Sequence, residues 1–200
     1  MRPEPPGLPR TVKRVPTRTK LAARDPAFAP MLATLGTPPT GDDHAIEWKF
    51  DGQRATLVVV DDEVTVFSRN GADVSRTFPE LAGIAAAVGG RRVVLDGEIV
   101  ALDAQGRPSF TRLQRRWPQQ RRPRPELVRD VPCRLVAFDI LLLDGRGIVS
   151  LPYGQRRELL DNLLTVQKSP VLTVPPAMID VAPADALDAA ATHGMEGIVV

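Results

Sequence analysis

The chain has 200 residues, 43% hydrophobic and 25% charged, enough to bury a core and typical of a water-soluble globular domain. No apolar run reaches the roughly eighteen residues a membrane span needs, and the Pro-rich, basic start does not read as a secretory signal. Cys133 is the one cysteine, which excludes an internal disulfide and a cysteine-cluster zinc site, so a reducing cytoplasm is the expected setting.

Net charge is only +2 but unevenly spread. Residues 1–28 carry Arg2, Arg10, Lys13, Arg14, Arg18, Lys20 and Arg24 among prolines and without periodicity, and read as a flexible basic arm preceding a folded domain over 29–200. The stretch Arg112 to Arg129 is the second basic segment. Clustered arginines can be solvated loops, or a surface that displaces counterions from nucleic acid.

Residues 34–43, TLGTPPTGDD, are a loop broken by Pro and Gly. Ala55–Val60 and Val64–Ser68 flank the turn Asp61-Asp62-Glu63 as a hairpin. Small apolar residues at helical spacing predict a helix over Phe78–Val88, stopped by Gly89-Gly90. Arg92–Leu95 and Glu98–Leu102 read as two extended pieces interrupted by Asp96-Gly97. Ser109 caps a short helix over Ser109–Arg116. Residues 119–132 read as a mobile Pro/Arg loop. Cys133–Leu143, CRLVAFDILLL, is the clearest buried strand, closed by Asp144-Gly145. Helices follow over Tyr153–Val166 and Ala184–Thr192, and Gly197–Val200 begins a strand. Strands joined by tight turns with helices inserted between them predict an α+β fold with mainly antiparallel sheets and flanking helices.

Residues 47–54 read EWKFDGQR and contain Lys49-x-Asp51-Gly52-x-Arg54. Alone, Lys49 reads as a snorkelling surface residue beside a turn. Downstream, LDGEIV (95–100), AFDILLLDG (137–145) and MEGIVV (195–200) each bring a carboxylate or an aromatic to a predicted strand. Strand segments that converge on one cleft can assemble a site from distant residues. His44 and His193 have no partners at metal spacing and read as surface residues. Trp117 either stacks on a base or anchors its loop.

With PMLAT (30–34), SRNG (68–71), FPEL (78–81), LDGEIVALD (95–103), GRPSFTRLQRR (106–116) and LPYGQRRELLD (151–161), these motifs resemble ATP-dependent DNA ligases of the bacterial end-joining type, within the lysine-adenylating nucleotidyltransferases. The resemblance spans about residues 30–200. It implies an adenylation domain with ligase/ATP-grasp-like architecture, ATP as AMP donor, Mg2+, and nicked or broken double-stranded DNA as substrate. It also implies association with other end-joining or repair proteins on the nucleoid. Lys49 would be the nucleophile that carries AMP. Glu47 would accept the adenine amine, the alternative being a solvated strand carboxylate. Arg54 would contact ribose and phosphate, and Arg69 phosphate. Glu98 would bind the ribose hydroxyl or a metal, and Glu196 the catalytic divalent ion. Phe138 would stack on the purine or else belong to the core. Asp96 reads as a turn former. Family members continue past the MEGIVV motif to further lysines and an OB-fold, so the domain is expected to be incomplete at Val200. A non-catalytic relative that binds nucleotide or DNA, and an RNA ligase or capping-type enzyme, are the alternatives.

Overall fold

The computed structural model describes residues 28–39, 41, 43–117, 121–163 and 169–200; the basic arm, apart from Phe28, lies outside them. Two sheets, mainly antiparallel, organise the fold. The larger has the order β3-β2-β4-β5-β6 and is built from β2 Gln53–Val60, β3 Glu63–Ser68, β4 Val93–Ala101, β5 Cys133–Leu143 and β6 Arg146–Gly147. β7, Leu172–Thr173, adds to β5 in parallel. The smaller pairs β1 Glu47–Lys49 with β8 Gly197–Val199.

Turn chemistry explains the hairpins. Asp61 and Asp62 both take left-handed φ values, 51° and 65°, and Asp144 and Gly145 do the same at 49° and 79°. Two successive left-handed residues give the turn whose twist matches that of the flanking strands.

Alternation then sorts the two faces of the large sheet. Ala55, Leu57, Leu95, Ile99, Leu135, Ala137 and Ile140 join one continuous core. That core is covered by the 3-10 turn Pro79–Gly83, helix α1 Ile84–Ala87, helix α2 Phe110–Leu113 and helix α4 Tyr153–Leu163. The opposite face carries a smaller apolar cluster of Phe28, Val58, Val94, Leu141 and Leu142. Beyond it the pairings Thr56↔Asp96 and Arg54↔Glu98 set polar side chains on this face.

Three expectations are corrected. Asp96-Gly97 is not a turn: β4 runs through it, with register shifts at Val94/Leu95 and Asp96/Gly97. Gly97 is needed because β5 passes too close for a side chain, a Cβ there lying 2.4 Å from the Val136 carbonyl oxygen. The helix expected over Phe78–Val88 is a 3-10 turn followed by the four-residue α1; Pro79 suits a helix start, and Gly83, in the middle of the expected span, is where the 3-10 turn gives way to α1. Within the expected 119–132 loop, Pro125–Asp130 forms helix α3, with Pro at its first turn, Glu126 near its N-terminus and Arg129 near its C-terminus. Residues 118–120 lie outside the description.

The expected strand Cys133–Leu143 forms over those residues, and Ser109 caps α2 by accepting from the Arg112 amide. Helix α5 spans Pro183–Thr192.

Candidate active site

Lys49 ends β1. The chain then turns through Asp51-Gly52 and enters β2. Gly52 permits this turn because the β4 backbone lies directly against it: a Cβ would sit 2.3 Å from the Ile99 carbonyl oxygen and 2.9 Å from Cγ of Glu98. The glycine of the motif thus seats the lysine-bearing turn on the strand that carries Glu98.

β8 places Glu196 beside Lys49. The register pairs Lys49 with Gly197, the Glu196 amide donates to the Lys49 carbonyl at 3.0 Å, and the Glu196 carboxylate forms an ion pair with Nζ. Both side chains stay partly open to solvent, at 39% and 45% exposure. Burial and the charge of Glu196 push the neighbouring Asp51 carboxyl upward, while Lys49 pulls it down.

The polar face of the large sheet forms the adjoining wall. Arg54 grips Asp96 with two hydrogen bonds, Nε to Oδ1 at 2.7 Å and a terminal nitrogen to Oδ2 at 2.8 Å. Its guanidinium lies 4.5 Å over the Phe138 ring and donates at 3.2 Å to the Met31 carbonyl, tying the PMLAT segment to the site. Phe138 is half-buried on this face, outside the hydrophobic core. Asp96 is buried at 5% exposure and is the partner of Arg54, which corrects its reading as a turn former.

Glu98 is pushed up to about 8 by burial; Arg54 and Lys49 oppose the shift, and Asp96 and Glu196 add to it. These five side chains therefore share one electrostatic neighbourhood. Arg69 lies just beyond β3 with its side chain exposed, and its amide donates to the Arg54 carbonyl at 3.2 Å.

Glu47 faces helix α4. Tyr153 Oη and an Arg157 terminal nitrogen each donate to Oε1 at 2.9 Å. Burial raises the Glu47 carboxyl, against the lowering pull of both donors. Glu47 is therefore no free strand carboxylate in solvent.

Sequence reasoning missed Tyr153, Arg157 and Asp96 as members of this cluster. It also missed the pair between Arg156 and Asp139, with bonds at 2.9 and 2.8 Å. The spacing Tyr153, Arg157, Asp161 repeats every four residues on one helix face and was the available signal.

The basic segment divides. Arg116 is fully buried and bonds both Glu80 oxygens, at 2.9 and 3.0 Å, together with the Thr77 and Val131 carbonyls. It is a structural cation and no surface for a polyanion. Arg115, Arg121, Arg122 and Arg124 remain exposed. Trp117 packs against the core, and His193 is exposed with its ring 5.2 Å from Trp48 in an edge contact.

Among the described residues, no three His, Cys, Asp or Glu side chains form a metal cage. Glu196 adds to the upward shift of Glu98, so two carboxyl groups share one neighbourhood, the oxygen donors a hard cation takes together with a phosphate substrate and water.

Fold and site together define a class: an α+β domain that offers a partly exposed lysine amine beside a cluster of charged side chains and an aromatic ring. The chain belongs to the ATP dependent DNA ligase domain family, whose model matches residues 30–200. It is 38% identical over 177 residues to the multifunctional non-homologous end joining DNA repair protein LigD of Mycobacterium tuberculosis H37Rv, covering 86% of this chain and 21% of that protein. The bifunctional non-homologous end joining protein LigD of Bacillus subtilis is 34% identical over 153 residues, covering 72% of this chain and 24% of that protein. The solved structure of a mycobacterial DNA ligase D complexed with ATP and MES superposes with a TM-score of 0.72 at 37% identity, covering 85% of this chain and 52% of that one. The chain thus spans about a fifth to a quarter of the length of these curated relatives.

Proposed function

We propose that this domain carries out the first step of ATP-dependent DNA ligation, transfer of AMP from ATP to Lys49, within a protein that seals breaks in double-stranded DNA during end-joining repair in the cytoplasm. The single observation that carries the reading is the placement of Lys49: partly exposed, ion-paired to Glu196, and in one electrostatic neighbourhood with Glu98 and Arg54.

The chemistry is a displacement at phosphorus. The neutral Nζ attacks the α-phosphorus, a nitrogen–phosphorus bond forms, and the bond to the bridging oxygen of the β-phosphate breaks. Pyrophosphate leaves with the electron pair, and the amine proton passes to solvent. A protonated amine has no lone pair to give, so Lys49 reacts only after it has left its ion pair with Glu196 and given one proton to solvent; the second proton leaves once the nitrogen–phosphorus bond has formed. Arg54 is held by Asp96 and stacked on Phe138, so its charge is fixed in direction before a nucleotide arrives. Phe138, with Arg54 over its ring, would stack on a purine only through ring surface that Arg54 leaves uncovered, and Glu47 keeps Oε2 as an acceptor for a base carrying an amine. A magnesium ion held by Glu98 and Glu196 would neutralise charge on the phosphates of bound ATP. Arg69 and the exposed arginines at 115, 121, 122 and 124 supply positive charge for a DNA backbone.

The test is incubation of the purified chain with magnesium and ATP labelled at either the α- or the γ-phosphate, followed by denaturing electrophoresis. Label retained from the α-position and not the γ-position supports AMP transfer. Label from neither, on folded protein, refutes it.

A further inference from the structure

We infer that Tyr153 and Arg157 of α4 are positioning residues that set base selectivity by occupying Oε1 of Glu47 and leaving Oε2 as the acceptor for an amine-bearing purine. This rests on the proposed nucleotide chemistry and extends it to residues outside the lysine motif.

The geometry is specific. Both donors converge on the same oxygen at 2.9 Å. Arg157 is itself fixed from behind. Its Nε and terminal nitrogen bond Asp161 at 3.1 and 2.9 Å, and the same terminal nitrogen donates to the Pro175 carbonyl. At 6% exposure it has little freedom to swing away. A carboxylate with no partners rotates about its last torsion and presents either oxygen, whereas two donors on one oxygen hold one orientation.

A purine amine at the 6-position donates a hydrogen bond that Oε2 can accept. A purine with oxygen at that position presents a second acceptor, and the two lone pairs repel. A site built to accept from an NH rejects the analogue lacking it because its own polar group is then left unpaired.

The groups facing Glu47 are Tyr153 and Arg157 from α4 and the Asp139 carboxylate from β5, with Asp161 behind Arg157. Burial raises the Glu47 carboxyl, and the Tyr153 hydrogen bond is the foremost influence lowering it. Removing that hydroxyl lifts the carboxyl further, so Glu47 takes up its proton at a higher pH.

Tyr153→Phe is the informative variant. Tyr153 also lines a cavity of about 420 Å³ together with Ala45, Asp161, Ala177 and Ile179, so loss of its hydroxyl does not open a sealed core. Arg157 is left intact, because it also anchors Asp161 and the Pro175 carbonyl. A thermal melt confirms that the variant is folded. The probes are the α,β-methylene analogues of ATP and of purine riboside triphosphate, which differ only in the amine and cannot release pyrophosphate.

The expected result is that the variant binds the ATP analogue about threefold to tenfold more weakly and the purine riboside analogue unchanged. The wild-type preference for the amine fades as pH falls through the raised Glu47 pKa, and in the variant it fades from a higher pH. An unchanged preference, with an unchanged pH midpoint, overturns the inference while leaving Lys49 labelling untouched. Equal weakening of both analogues overturns it too, since that is the signature of a merely structural role. Wild type that binds neither analogue refutes the nucleotide reading itself.

Discussion

At the Lys49 turn, the position most sensitive to a single added atom is Gly52. The obstacle to a side chain there is the Ile99 carbonyl, which is held in the β2–β4 ladder and cannot swing aside as a flexible side chain could. Gly52→Ala is expected to cost about 2–3 kcal/mol in chemical denaturation, and to displace Lys49 from Glu196 even in molecules that remain folded. Glu98 makes the pH-dependent prediction. Its folded carboxyl sits at about 8 against an ordinary value of 4.5, so the folded state binds its proton more tightly than the unfolded chain. The stability this contributes is fully present below pH 4.5 and is lost as pH rises through about 8. Glu98→Gln, which cannot ionise, should therefore gain on wild type by about 2 kcal/mol between roughly pH 5 and 8.5, after discounting for partial solvent access. Denaturation at those two pH values measures it, and identical pH dependence in the two proteins would contradict it.

At the scale of elements, the largely buried pair Arg116–Glu80 holds the turn that follows α2, the 3-10 turn and the start of β5 together. Glu80 Oε1 also accepts from the Cys133 amide at 2.9 Å, so one carboxylate joins three segments. Removing one partner of a buried pair strands the other's charge, and Arg116→Met should cost about 3–5 kcal/mol. The double change Arg116→Met with Glu80→Leu should cost less than the sum of the single changes, read from a urea double-mutant cycle. Full additivity would mean that the pair is not coupled. The same elements show what local sequence reveals. CRLVAFDILLL was legible as a strand because eleven residues of strong β character end at an Asp-Gly turn. Asp96-Gly97 was misread because that dipeptide is ordinarily a turn; here Gly97 serves close strand packing and Asp96 is occupied by Arg54. The FPEL helix was misread because periodicity of small apolar residues outweighed Gly83 in the reading, whereas the backbone changes from 3-10 to α at that glycine.

For the molecule as a whole, the site is assembled by pairings that no local window contains. Lys49 and Glu196 meet through the β1–β8 register, Arg54 meets Asp96 through β2–β4, and Glu47 meets Tyr153 and Arg157 of α4. Motif resemblance could name Lys49, Glu98, Phe138 and Glu196 as candidates, since their identities are local. It could not reveal that Glu196 holds Lys49 in an ion pair, that Phe138 lies under Arg54, or that Arg116 is buried, because those facts depend on long-range packing. The central claim is that Lys49 is the group that becomes covalently modified by ATP. The most direct measurement maps the label from α-labelled ATP after trypsin digestion, in the wild type and in Lys49→Ala. The account predicts label confined to the peptide ending at Arg54 in the wild type and none in the variant. Label on another peptide, or label of equal strength in Lys49→Ala, would contradict it.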